Sequence, residues 1–104
     1  MSEAVIVRYR VKPELLEQNI DLVKAVYEEL AAKQPDGLRY STYQLDERTF
    51  VHVAILDGSA NPLDEIAAFG AFAAGVAERC EERPLVARGD VVGSYSKPWA
   101  STSG

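Results

Sequence analysis

From Val5 to Val11 the chain alternates Val5, Val7, Tyr9 and Val11 with Ile6, Arg8 and Arg10, a period of two that predicts a strand with unlike faces. Pro13 stands where a helix can begin, because the first turn has no use for its missing N–H. Leu16, Ile20, Val23, Tyr27 and Leu30 then recur at spacings of four and three, opposite Glu17, Asp21, Lys24 and Glu28. This predicts a one-sided helix that ends near Gln34-Pro35-Asp36-Gly37. Leu38 to Leu45 and Phe50 to Leu56 predict two strands joined by a short polar stretch, hence an antiparallel hairpin. A loop at Asp57-Gly58-Ser59-Ala60 leads to Asn61-Pro62, an N-cap followed by a first-turn proline. The second helix is expected to bury Ile66, Phe69, Ala73, Val76 and Cys80 and to end at Arg83-Pro84. Leu85 to Tyr95 predicts the last strand, and a polar tail follows from Ser96 to Gly104.

The resulting order, strand, helix, strand, strand, helix, strand, defines an α+β class. With right-handed crossovers, both helices fall on one side of a four-stranded antiparallel sheet in a ferredoxin-like arrangement. The third strand is apolar on both faces except at His52, so protein is expected on each side of it. His52 shares its alternation with Phe50, Ala54 and Leu56, and this set is expected on the face away from the helices. An uncovered apolar face of that kind is costly in water, and a second copy packed sheet against sheet would cover it. A homodimer with a cavity between its sheets is therefore expected.

The chain has 104 residues, enough for one domain that buries roughly 65% of the surface of its unfolded form. The apolar content of 47% argues against disorder, and no apolar run approaches a membrane span. A net charge of −5 disfavours nucleic acid and anionic lipid as partners. The single cysteine, Cys80, reads as a small buried hydrophobe. With no secretory leader visible at the start, it suggests a reducing, cytoplasmic setting.

Three stretches carry a resemblance to a known family: Val7 to Glu14, Pro35 to Tyr40, and Thr49 to Ala54. They resemble the antibiotic biosynthesis monooxygenase-like group of the dimeric α+β barrel superfamily, and the likeness spans residues 4 to 95. The domain is accordingly placed at residues 1–95 and the tail at 96–104. The resemblance implies a ferredoxin-like protomer, a homodimer whose sheets form a barrel, and a ligand pocket. Some members of that group oxidise phenols and quinols without a cofactor. Many relatives carry a glutamate where Ala54 stands and a tryptophan where Leu56 stands. The haem-degrading branch relies on a first-strand asparagine, a tryptophan and a helix histidine. Here Arg8 holds the first-strand position and neither helix contains either aromatic, so that branch does not fit.

His52, the only histidine, is the first candidate for chemistry, as a base that takes the proton of a phenol or quinol near neutral pH. Arg8, with Arg10, projects from the first strand. Because that strand should lie beside the third, Arg8 is expected to approach His52 and to stabilise an anionic oxygen, or else to pair with an acid such as Asp90 or Glu47. Tyr40 and Tyr43 occupy opposite faces of the second strand, so hairpin register decides which one meets the cavity. A turn at Glu47-Arg48 would set Tyr43 opposite His52, and a slip of one residue exchanges the two. Phe50, Phe69 and Phe72, together with Tyr27, are candidate aromatic walls for a small aromatic ligand. Trp99 in the tail is a candidate for docking on a partner subunit.

No glycine-rich phosphate loop, metal-ligand cluster or nucleophile elbow is present, so no cofactor or metal is expected. Two functions fit these residues. One is a cofactor-independent monooxygenase acting on a small phenol or quinol, and the other is a noncatalytic binding or structural homodimer of the same fold.

Overall fold

The computed structural model of the chain describes residues 2–58 and 60–96, and Trp99 with the rest of the tail lies outside them. The elements are β1 (Glu3–Arg10), a 3-10 turn (Pro13–Leu15), α1 (Leu16–Lys33), β2 (Leu38–Gln44) and β3 (Thr49–Leu56). A second 3-10 turn (Pro62–Glu65), α2 (Ala67–Ala74), α3 (Val76–Arg79) and β4 (Leu85–Asp90) complete the order. All four strands pair antiparallel in the order β2-β3-β1-β4. Both helical segments pack on one face of the sheet, as the element order predicts.

The first helix stops where expected. Gln34 takes a left-handed conformation before Pro35, and its N–H still donates to the Leu30 carbonyl at 2.7 Å. Gly37, at φ +80°, lets the chain turn directly into β2.

The second helix is not continuous. Ile66 is extended at its start, and Gly75 separates α2 from α3, so a single 3.6-residue stripe does not describe it. Ile66, Phe72, Arg79 and Cys80 are buried, whereas Ala73 is exposed. The Glu29 carboxylate on α1 accepts the Ala67 and Ala68 N–H groups, fixing the start of α2 against α1. Asn61 caps the preceding turn by accepting the Leu63 N–H at 3.0 Å.

The last strand ends at Asp90 rather than Tyr95. Asp90 pairs with Glu3, the first residue of β1, and beyond it a single bond, Val91 N–H to the Ser2 carbonyl at 3.2 Å, is the last tie between the two segments among the described residues.

The larger correction concerns which sheet face is covered. The helices lie on the side of Phe50, His52, Ala54 and Leu56, all of which are buried. Alternation in β3 could not decide this, because both of its faces are apolar. The register decides it: Val7 pairs with His52 and Tyr9 with Phe50, so His52 joins the core face of β1. The uncovered face instead carries Ile6, Arg8, Val51, Val53, Ile55 and Leu85. Ile6 is 40% exposed and Leu85 70%.

Candidate functional site

At the centre of the helix-covered face, His52 is hydrogen-bonded from both flanking strands. Tyr9 Oη on β1 lies 2.7 Å from Nε2, and Tyr40 Oη on β2 lies 2.7 Å from Nδ1. Thr42 Oγ1, directly opposite His52 in the ladder, is 3.1 Å from Nδ1 and 2.7 Å from the Tyr27 hydroxyl of α1. On the other side, the Asn19 side-chain amide of α1 donates to Tyr9 Oη at 3.0 Å, and Arg79 Nε donates to Asn19 Oδ1 at 3.1 Å. Asn19, Arg79, Tyr9 and His52 are all buried. Fully satisfied polar networks can be enclosed without the penalty that an unpaired group would incur.

Burial sets the proton chemistry. It pushes the His52 pKa down to about 4, so the ring is neutral at pH 7. Burial likewise pushes the Tyr9 and Tyr40 hydroxyls above the ordinary phenol range, so both remain protonated hydrogen-bonding groups.

Beside this network is a cavity of about 220 Å³ lined by His52, Tyr40, Phe69, Phe72, Leu63 and Val76, with further apolar side chains from β1 and β4. A dry apolar cavity of about 150 Å³ suffices for benzene. The Phe72 ring lies 5.0 Å from the His52 ring, and Phe69 meets Tyr40 edge-on at 6.3 Å. The pocket is therefore a largely apolar, aromatic slot whose polar lining residues are His52, Tyr40 and Asn61. Among the described residues, no group of three His, Cys, Asp or Glu side chains is placed to hold a metal ion.

The structure brings His52, Tyr40, Phe69 and Phe72 together. Phe50 lies on the same face but stacks on Tyr9 at 5.6 Å, outside the cavity lining. Arg8 does not approach His52: it pairs with Val51 and projects from the opposite face. Arg10, also on that face, forms exposed ion pairs with Asp46 and Glu81. Tyr43 is 53% exposed there as well.

The tyrosine exchange traces to the turn. Leu45 N–H donates to the Thr49 carbonyl, leaving three turn residues, Asp46-Glu47-Arg48, instead of two. Asp46 fixes them by accepting the N–H groups of Arg48 and Thr49.

Sequence reasoning missed Tyr9, Asn19, Thr42 and Arg79. A signal for two of them was present. Asn19 lies three residues from Leu16 and four from Val23 on the apolar stripe of α1, and Arg79 follows Val76 and Phe72 at spacings of three and seven.

The four-stranded antiparallel sheet with its helices on one face is shared with solved structures, several of them described as antibiotic biosynthesis monooxygenases. No protein-family model matches the chain, and no curated protein sequence does. The likeness lies with solved structures. A Mycobacterium tuberculosis protein is 22% identical, with a TM-score of 0.72 over 92% of this chain and 100% of its own. A protein described as an antibiotic biosynthesis monooxygenase is 22% identical, with a TM-score of 0.67 over 88% and 99%. A Nitrosomonas europaea protein of unknown function is 15% identical, with a TM-score of 0.72 over 93% and 95%. At these identities the likeness establishes a shared fold.

Proposed function

We propose that this chain is a cofactor-independent monooxygenase-like protein that takes one small phenol or quinol into the cavity beside His52. The observation that carries this reading is the pairing of His52 with Tyr40 on the wall of a largely apolar, aromatic-lined pocket. The aromatic walls take the ring, and the Tyr40 hydroxyl, held by His52, meets its oxygen. Hydrogen bonding at that oxygen favours the electron-rich phenolate-like form, which reacts with dioxygen. In the overall step, one oxygen atom bonds to a ring carbon and the other leaves as water. The quinol supplies the electrons and ends as a hydroxylated quinone, so no external reductant is consumed.

This reading places the protein in the cytoplasm as a homodimer that covers the open face of Ile6, Val51, Val53, Ile55 and Leu85. The apolar character of that face supports a second copy, since its burial is favourable at about 25 cal/mol per Å².

The test is oxygen uptake with a panel of naphthols and naphthoquinols, comparing the protein with His52→Gln and Tyr40→Phe. Protein-dependent uptake that falls about 100-fold in the variants supports the reading. Uptake no faster than autoxidation for every compound that binds overturns it. That outcome would favour a noncatalytic binder, a reading supported by one observation: both ring nitrogens of His52 are occupied by protein hydroxyls.

A further inference from the structure

Arg79 is a buried cation with an unusual set of partners. Among the described residues no carboxylate lies within ion-pair distance of it. It donates from Nε to Asn19 Oδ1 and from Nη2 to the Phe72 carbonyl at 2.8 Å, and its guanidinium lies over the Phe72 ring. Its own carbonyl accepts the Lys12 N–H at 2.8 Å, tying it to the end of β1. Gly75 leaves the necessary room, because a Cβ there would lie 2.9 Å from Nη1.

A guanidinium can only donate, and this fact orients every later bond. Asn19 must turn Oδ1 toward Arg79, so its amide N–H donates to Tyr9 Oη. The Tyr9 hydroxyl hydrogen then needs an acceptor of its own, and His52 Nε2 stands 2.7 Å away. A buried hydroxyl left without that acceptor would be costly. With Nε2 accepting, the neutral imidazole carries its hydrogen on Nδ1, which donates to Tyr40 Oη. In that bond Tyr40 Oη accepts, so its own hydrogen is turned away from the ring, toward the neighbouring Thr42 hydroxyl or the cavity that Tyr40 lines.

We infer that Arg79, acting through Asn19 and Tyr9, fixes the His52 tautomer and makes Tyr40 a hydrogen-bond donor toward the ligand. Arg79 and Asn19 are positioning residues. The ligand class that follows is an aromatic whose oxygen accepts: a ring ketone, a quinone or a phenolate. This selectivity rests on the cavity reading above, whereas the tautomer stands on the network alone.

His52 is the sole histidine, so nitrogen NMR of protein labelled in its histidine reports on one ring. At neutral pH the expected result is hydrogen on Nδ1. Asn19→Asp should reverse the chain, because a carboxylate accepts from both Arg79 and Tyr9, sending the hydrogen to Nε2 and turning the Tyr40 hydroxyl toward Nδ1. Arg79→Met, which frees the amide to flip, should give a mixture. Binding of 1-tetralone is expected to exceed that of tetralin by about fivefold, an advantage lost in Asn19→Asp and in Tyr40→Phe.

Hydrogen on Nε2 in the unaltered protein, or the same tautomer in all three proteins, overturns the inference. So does equal affinity for the two probes. Failure of both probes to bind overturns the cavity reading and the ligand selectivity together. Tetralone binding without any oxygen uptake from the quinol panel overturns only the oxygenase reading.

Discussion

Tyr9 and His52 are diagonal neighbours across β1 and β3: Tyr9 pairs with Phe50 and His52 with Val7, and the Tyr9 hydroxyl reaches back 2.7 Å to Nε2. Tyr40, paired with Ala54, reaches the other ring nitrogen by the same diagonal step from β2. Two strands thus hold one imidazole by its edges. The arrangement makes the ring both a folding element and the centre of the candidate site.

Stability should depend on pH through this ring. Its folded pKa of about 4 lies below the ordinary 6.5, so the unfolded chain binds the proton more readily. The contribution is complete above pH 6.5 and is lost as pH falls toward 4, a change of about 3 kcal/mol. Urea unfolding at stepped pH is the check. In His52→Gln the slope across that window should flatten.

His52→Leu should cost about 2–4 kcal/mol despite similar apolar packing, since it strips the partners from the buried Tyr9 hydroxyl and the half-buried Tyr40 hydroxyl. Thermal or chemical denaturation measures this. A variant as stable as the parent would show that the network adds nothing to folding.

Gly75→Ala should destabilise by about 1–2 kcal/mol. The new methyl would press on Arg79 Nη1, and the guanidinium cannot retreat without releasing Asn19 or the Phe72 carbonyl. The same variant should disturb the His52 nitrogen signals, although position 75 does not touch the ring. Unfolding curves and NMR on one sample test both effects.

Val53→Lys places a charge in the middle of the uncovered sheet face, paired with Ile6 and Ser41. If a second copy seals that surface, sedimentation should show the parent as a dimer and the variant as a monomer. The His52 site, on the other side of the sheet, should keep its pH response.

The element order was legible because one-sided helices and alternating strands leave strong periodic marks. Tyr9 and Val7 opposite Arg8 even marked the inner face of β1. The inner face of β3 could not be read the same way. Val51, Val53 and Ile55 are as apolar as Phe50, Ala54 and Leu56, so only cross-strand parity distinguishes them. His52 seemed an outward-facing residue because its partners come from Tyr9 and Tyr40, on strands remote in sequence or offset by an unknown register. Asn19 and Arg79 were hidden for a related reason. Each is a polar interruption of an apolar helical stripe, intelligible only once the other is seen beside it.

The hairpin between β2 and β3 has a consequence for the make-up of the pocket. Because Asp46-Glu47-Arg48 is an odd-numbered loop, β2 presents Tyr40 and Thr42 inward and Tyr43 outward. A slip of one residue in this pairing, with Gln44 instead of Leu45 opposite Thr49, would invert that parity and set Tyr43 opposite Phe50, diagonal to the imidazole, with no substitution at either tyrosine. The Asp46 carboxylate that pins this turn therefore acts at a distance as a selector of pocket chemistry, because it holds the register that decides which phenol the pocket receives.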